Sequence, residues 1–139
     1  MPAILRSILA VVTGFVLIGA LALGTGALLQ GVMPASFDAA GNPTTVSLML
    51  LTTLYVGAYA TLGCYVAARL APSHPMRHAL VLGVLGLALN ATTAVAIRGT
   101  VPDWYLGLNL ALTMAWAWLG GRLRERELGR SHGAPALAR

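Results

Sequence analysis

Four long apolar stretches dominate the chain, at about residues 8–29, 46–68, 79–97 and 104–119, and none of them contains a charged side chain. About 20 apolar residues cross a hydrocarbon core of about 30 Å as a helix, rising about 1.5 Å per residue. The fourth stretch is the shortest and would borrow residues up to Leu123. A backbone in lipid must satisfy its own hydrogen bonds, so the stretches are expected to be helices. Barrel strands would alternate polar and apolar positions, and none of these stretches does. The breaks are equally plain. Pro34, Asp38, Gly41, Asn42 and Pro43 follow the first stretch, and Pro72, Ser73, His74 and Pro75 follow the second. Gly99 to Asp103, with Pro102, separates the third from the fourth. Pro and Gly clusters of this kind end helices.

Composition sharpens the class. Of 139 residues 58% are hydrophobic and only 9% charged, against about 25% charged in an ordinary soluble domain. A water-soluble single-core protein is therefore excluded. Cys64 has no second cysteine to pair with, which excludes a disulfide framework. The pattern predicts an all-α polytopic membrane protein, with four transmembrane helices in an antiparallel bundle. The first stretch is too long for the core of a signal peptide, so a retained helix is expected.

Arginine sets the orientation. All nine basic residues are arginines. In a four-span model Arg6, Arg69, Arg77, Arg122, Arg124, Arg126, Arg130 and Arg139 fall on one side, and only Arg98 on the other. Basic residues near span ends stay cytoplasmic, so both termini are expected inside, with Asp38 and Asp103 outside. Arg69, Arg77, Arg122, Arg124 and Arg126 are the candidate contacts for anionic headgroups. No aromatic-interleaved basic platform accompanies them, so the lipid bilayer is the expected partner and nucleic acid is not. The junctions also repeat: Arg6 and Arg77 open spans one and three, and Gly31–Pro34 and Gly99–Pro102 close them. That is consistent with two hairpins in parallel repeat, and equally with the general need for arginines inside and breakers at loops.

No Asp or Glu lies inside a span, so the intramembrane carboxylate on which small multidrug exporters depend is missing. Quinone-linked thiol oxidoreductases need cysteine pairs, which one Cys excludes. His74 and His78 share a helical face but have only His132 as a further candidate ligand, too few for a metal site. No catalytic residue, metal or cofactor is expected, and the chain is read as not an enzyme.

Small residues at helical spacing form ridges: Ala60, Cys64 and Ala68; Gly83, Gly86, Asn90 and Ala94; and Gly107, Ala111 and Ala115. Such ridges let helices approach closely in lipid, within the bundle or against a second protomer or another subunit. Polar residues cluster in the middle and outer half, where Asn90, Asn109, Thr113, Tyr59 and Thr93 are the candidate intramembrane contacts. Asn90 lies near the midplane and cannot snorkel to water, so it must face another helix or a cavity. Thr113 is its preferred partner and Tyr59 the alternative. These groups are read either as interhelical hydrogen bonds or as a shallow polar pocket. Residues 120–128 should extend the fourth helix, with Arg122–Glu125 and Glu127–Arg130 pairs three apart. The tail 129–139, rich in Gly, Pro and Ala, should be mobile.

Gly63-Cys64-Tyr65-Val66-Ala67-Ala68-Arg69-Leu70-Ala71-Pro72, continued by Pro75-Met76-Arg77-His78-Ala79-Leu80, resembles a turn recurring in small uncharacterised bacterial four-helix inner-membrane proteins. Cys64 departs from that form, which has Gly there. The resemblance implies a bacterial inner-membrane location and no particular activity. Two function classes follow: a non-enzymatic accessory subunit or self-associating scaffold of a membrane complex, or a small oligomeric transporter or channel for a neutral or weakly polar solute.

Overall fold

The computed structural model describes residues 2–132, and among these the regular structure is helical. Helix α1 covers Ala3–Val32, α2 Val46–Leu70, α3 Pro75–Ala96 and α4 Asp103–His132. Three of them, α1 to α3, are long and apolar enough to cross a membrane. Helix α4 is not among the three, because its charge-free part, residues 104–121, carries Asn109, Tyr105 and three tryptophans, which lower its mean hydropathy.

The helix ends follow local chemistry. Pro75 starts α3 in the first helical position, where its missing N–H removes nothing from the ladder. His74 before it takes a left-handed conformation, φ 49°, and its carbonyl accepts from the Arg77 N–H at 3.0 Å. Gly99, φ 87°, supplies the positive φ of the turn into α4, where Asp103 lies in the positive first turn of the helix. The segment between α1 and α2 is built around Asp38. Its Oδ1 accepts from the Ala40 and Asn42 N–H groups, and its Oδ2 from Asn42 Nδ2. Those bonds hold its carboxyl below the usual carboxylate range, the Asn42 side chain contributing most.

Helix α2 is central and packs against the other three; α4 lies between α2 and α3. The closest approaches occur at small residues. A Cβ at Gly63 would collide with Ile18 and lie 2.7 Å from the Gly14 carbonyl oxygen, so α1 and α2 cross backbone to backbone. A Cβ at Gly120 would lie 2.5 Å from the Thr61 carbonyl oxygen and 2.9 Å from the Tyr65 nitrogen. Ala117 of α4 faces Gly83 of α3 in the same layer. Cys64, Ala67, Ala68, Ala79, Leu82 and Ala117 form the buried cluster here, and Met49, Val101 and Tyr105 form a second one nearer the loops at residues 33–45 and 97–102.

One expectation needs correction, and one open alternative is decided. The stretch 129–132 was expected in a mobile tail, yet α4 runs through His132; residues 133–139 lie outside the described residues. The ridge of Gly107, Ala111 and Ala115 does not pack inside the bundle, because α4 turns Thr113, Ala117 and Gly120 inward and leaves that ridge exposed.

Gly120→Val should lower the Tm in detergent by the equivalent of about 1–3 kcal/mol or more, because backbone on α2 cannot yield. Gly107→Val, with nothing near its Cβ, should leave the Tm unchanged. Thermal unfolding of the two variants side by side checks this, and equal losses would contradict the packing.

Candidate functional site

Between the two buried clusters the helices separate. Helices α1 and α3 touch where Gly14 faces Leu82 and diverge beyond it, leaving a cavity of about 430 Å³. Phe15 to Leu23 of α1 form one wall and Leu82 to Thr93 of α3 the other, with α2 and α4 at the back. The floor is apolar: Ile18, Cys64, Leu82 and Ala117. Trp116 stands at the back, pressed on Gly57. Small-molecule sites have volumes of about 300–1,000 Å³, within which this one falls.

A polar seam runs up the back wall and joins three helices. Asn90 Nδ2 donates to Thr113 Oγ1 at 2.8 Å, linking α3 to α4. Thr113 donates to the Asn109 carbonyl oxygen at 2.7 Å. Asn109 Nδ2 donates to Thr53 Oγ1 at 3.2 Å, linking α4 to α2, and to the Tyr105 carbonyl at 2.8 Å. Thr53, itself buried, donates to the Met49 carbonyl at 3.0 Å. In an apolar medium each of these groups would be costly unpaired, so the seam fixes the rotation of α2, α3 and α4 about their axes. Among the described residues nothing donates to Oδ1 of Asn90 or Asn109. Neither oxygen is sealed from its surroundings.

The structure thus brings Asn90, Asn109 and Thr113 together and adds Thr53. It places Tyr59 elsewhere, where its hydroxyl and that of Thr25 share a 2.9 Å hydrogen bond between α1 and α2. Thr93 donates to the Leu89 carbonyl of its own helix, at the cavity rim. Thr53 and Trp116 are not distinguishable from neighbouring residues by spacing, because their role comes from residues more than 50 positions away.

The arginine-rich end holds a second polar cluster. Tyr65 of α2 donates to Glu127 of α4 at 2.8 Å, Arg124 donates to the same carboxylate at 2.7 Å, and Arg69 donates to the Tyr65 hydroxyl at 3.0 Å. The Arg124 bond, then the Tyr65 bond, hold the Glu127 carboxyl below the usual range. Glu127 was expected to pair with Arg130; it pairs with Arg124 and reaches Arg69 instead, because Tyr65 brings α2 beside that side of α4. Arg69 and Arg124 thus also make hydrogen bonds within the protein, although the Arg69 side chain stays 58% exposed. Arg122 pairs with Glu125 at 3.6 Å, as expected, and lies 5.4 Å above the Trp118 ring. Arg77 and Arg126 are exposed, with no side-chain partner among the described residues.

No group of three or more His, Cys, Asp or Glu able to hold a metal occurs among the described residues. No protein-family model matches the chain, nor does any curated protein or solved structure.

Asn90→Leu should cost about 0.6 kcal/mol and Asn109→Leu up to about 1.7 kcal/mol, since the latter removes the seam's hydrogen bond between α4 and α2. A double-mutant cycle of Asn90→Leu with Thr113→Val, read by unfolding in mixed micelles, should give non-additive losses. Strict additivity would show that the two side chains do not interact.

Proposed function

We propose that the chain is an integral protein of the bacterial inner membrane, spanning it four times as an antiparallel bundle with both termini in the cytoplasm. Seven arginines of the described chain gather at the end carrying Arg69, Arg77 and Arg126, whereas Arg98 stands with Asp38 and Asp103 at the other, which supports this orientation. Helix α4 supplies the fourth span in this reading. Its exposed Trp104, beside Asp103 at the start of the helix, suits the interfacial belt at that end. Exposed Arg77 and Arg126 would then meet anionic headgroups. Reporter fusions within the loop at Gly41 and after Arg139 test the topology. Activity of the periplasmic reporter after Arg139 would overturn it.

In this membrane the protein acts by association, as a non-enzymatic accessory subunit or a self-associating scaffold. One observation carries this reading. Trp104, Gly107, Ala111, Ala115 and Trp118 lie on one exposed face of α4, a lane of small residues closed at each end by an indole. The opposite face of the same helix meets α2 and α3 through Gly120 and Ala117. The chemistry that seats α4 within the bundle is thus repeated on the side left open. The outer polar residues favour a second reading, a solute carrier, but the cavity ends on the packed layer of Cys64, Leu82 and Ala117. A pore through one bundle would have to breach that layer.

Gly107→Val combined with Ala111→Val should release the associated copy or partner in mild detergent while leaving the Tm of the separated chain unchanged. Size and composition of the purified particle, by light scattering and mass spectrometry, check this. A homo-oligomer would identify a scaffold, and a foreign chain at fixed ratio an accessory subunit. Wild-type protein that is already monomeric and alone would overturn the association reading.

A further inference from the structure

We infer that the cavity between α1 and α3 binds a neutral, lipid-soluble alcohol. An apolar body would lie on the floor of Ile18, Leu82 and Ala117, and its hydroxyl would donate to Asn109 or Asn90. This site is separate from the open face of α4.

The polarity of the wall selects the ligand. No charged side chain lines the cavity, so an ion would enter uncompensated; the occupant is neutral. The seam consumes its own donors: both Asn amide groups donate, and the Thr53 and Thr113 hydroxyls donate to carbonyls. What remains on the seam is acceptor capacity, the two Oδ1 atoms; off the seam, Trp116 also lines the cavity, and its indole N–H has no hydrogen-bond partner among the described residues. An acceptor left unanswered between apolar walls calls for an O–H or N–H from the occupant. A hydrocarbon, a ketone or an ether would leave both oxygens unanswered, whereas an alcohol donates to one of them and can itself accept from the Trp116 indole.

The shape selects the route and the pose. Leu23, 76% exposed, and Leu89, 55% exposed, stand on either side of the gap between α1 and α3. That gap faces the hydrocarbon of the bilayer in the four-span reading, so a lipid-dissolved molecule enters sideways without crossing water. The seam lies towards the Met49 and Tyr105 cluster and the apolar floor towards Cys64 and Ala117. The hydroxyl would therefore sit at the seam, with the chain directed to the floor, beside Trp116.

Trp116 makes the site readable. The protein has three tryptophans, and Trp104→Phe with Trp118→Phe leaves Trp116 as the sole indole. Reconstituted in nanodiscs, this protein is titrated with bromoundecanol, bromoundecane or a brominated phosphatidylcholine at equal mole fractions. Bromoundecanol should quench Trp116 saturably, with half-saturation about three- to tenfold lower than bromoundecane, as one hydrogen bond in an apolar site provides. Asn90→Leu with Asn109→Leu should abolish that preference. Should this pair fail to fold, Gly86→Leu fills the cavity from a position whose Cβ is only in ordinary contact with Thr113, and should remove saturable quenching while sparing the seam. Equal affinity for alcohol and bromoalkane would overturn the inference. So would unsaturable quenching that tracks the phosphatidylcholine, or quenching unaltered by Gly86→Leu.

Discussion

Helices in this protein come closest where a glycine lets a neighbour's backbone or side chain take the place of a Cβ. At Gly14–Gly63 and at Gly120 the next helix lies where a Cβ would be, so main chain touches main chain or a Cα. Such crossings bring many atoms within dispersion range without ordering long side chains. They also fix where the helices cannot touch. Once α1 is anchored to α2 at Gly14, Leu82 lies against that same point and the two outer helices must separate above it. The cavity is the geometric remainder of one tight layer.

Polar groups within the apolar body obey a second constraint. An amide or hydroxyl far from water must find a partner, and a helix supplies backbone carbonyls one turn back. Thr93 uses that local solution, as do Thr53 and Thr113. The asparagines cannot be satisfied so cheaply. Asn90 and Asn109 reach across to neighbouring helices, and each retains an acceptor that the bundle does not use. Structural and binding roles are therefore compatible in one side chain, with the donor end tying helices and the acceptor end free.

At the arginine-rich end the medium changes and so does the logic. Exposed ion pairs are screened, and Glu127 gains its preference for the charged form mainly from short hydrogen bonds with Arg124 and Tyr65. The cluster ties the end of α2 to α4 beyond the apolar layers. It leaves Arg77 and Arg126 outward, and those two suit contact with a charged surface.

The sequence by itself determined the helical class, the number of helices and the breaks between them, because these follow from local hydrophobic runs and from Pro and Gly chemistry. It also marked Asn90 and Thr113 as partners, since a deep amide with small neighbours needs a polar group at matching depth. Their hydrogen bond is present. Helix ends were less legible: α1 and α4 continue past the apolar runs, because arginine and glutamate propagate a helix about as readily as leucine does. The rotation of each helix was decided only by the tertiary structure. Gly107, Ala111 and Ala115 form as good a ridge as any on α4, yet Gly120 and Ala117 are the residues that pack. Spacing along a helix defines faces and cannot say which of two similar faces a neighbour will choose. Tyr59 pairing with Thr25, Glu127 with Arg124 and Tyr65, and Asn109 with Thr53 follow from that choice, as does the cavity, which exists only where helices distant in sequence fail to touch.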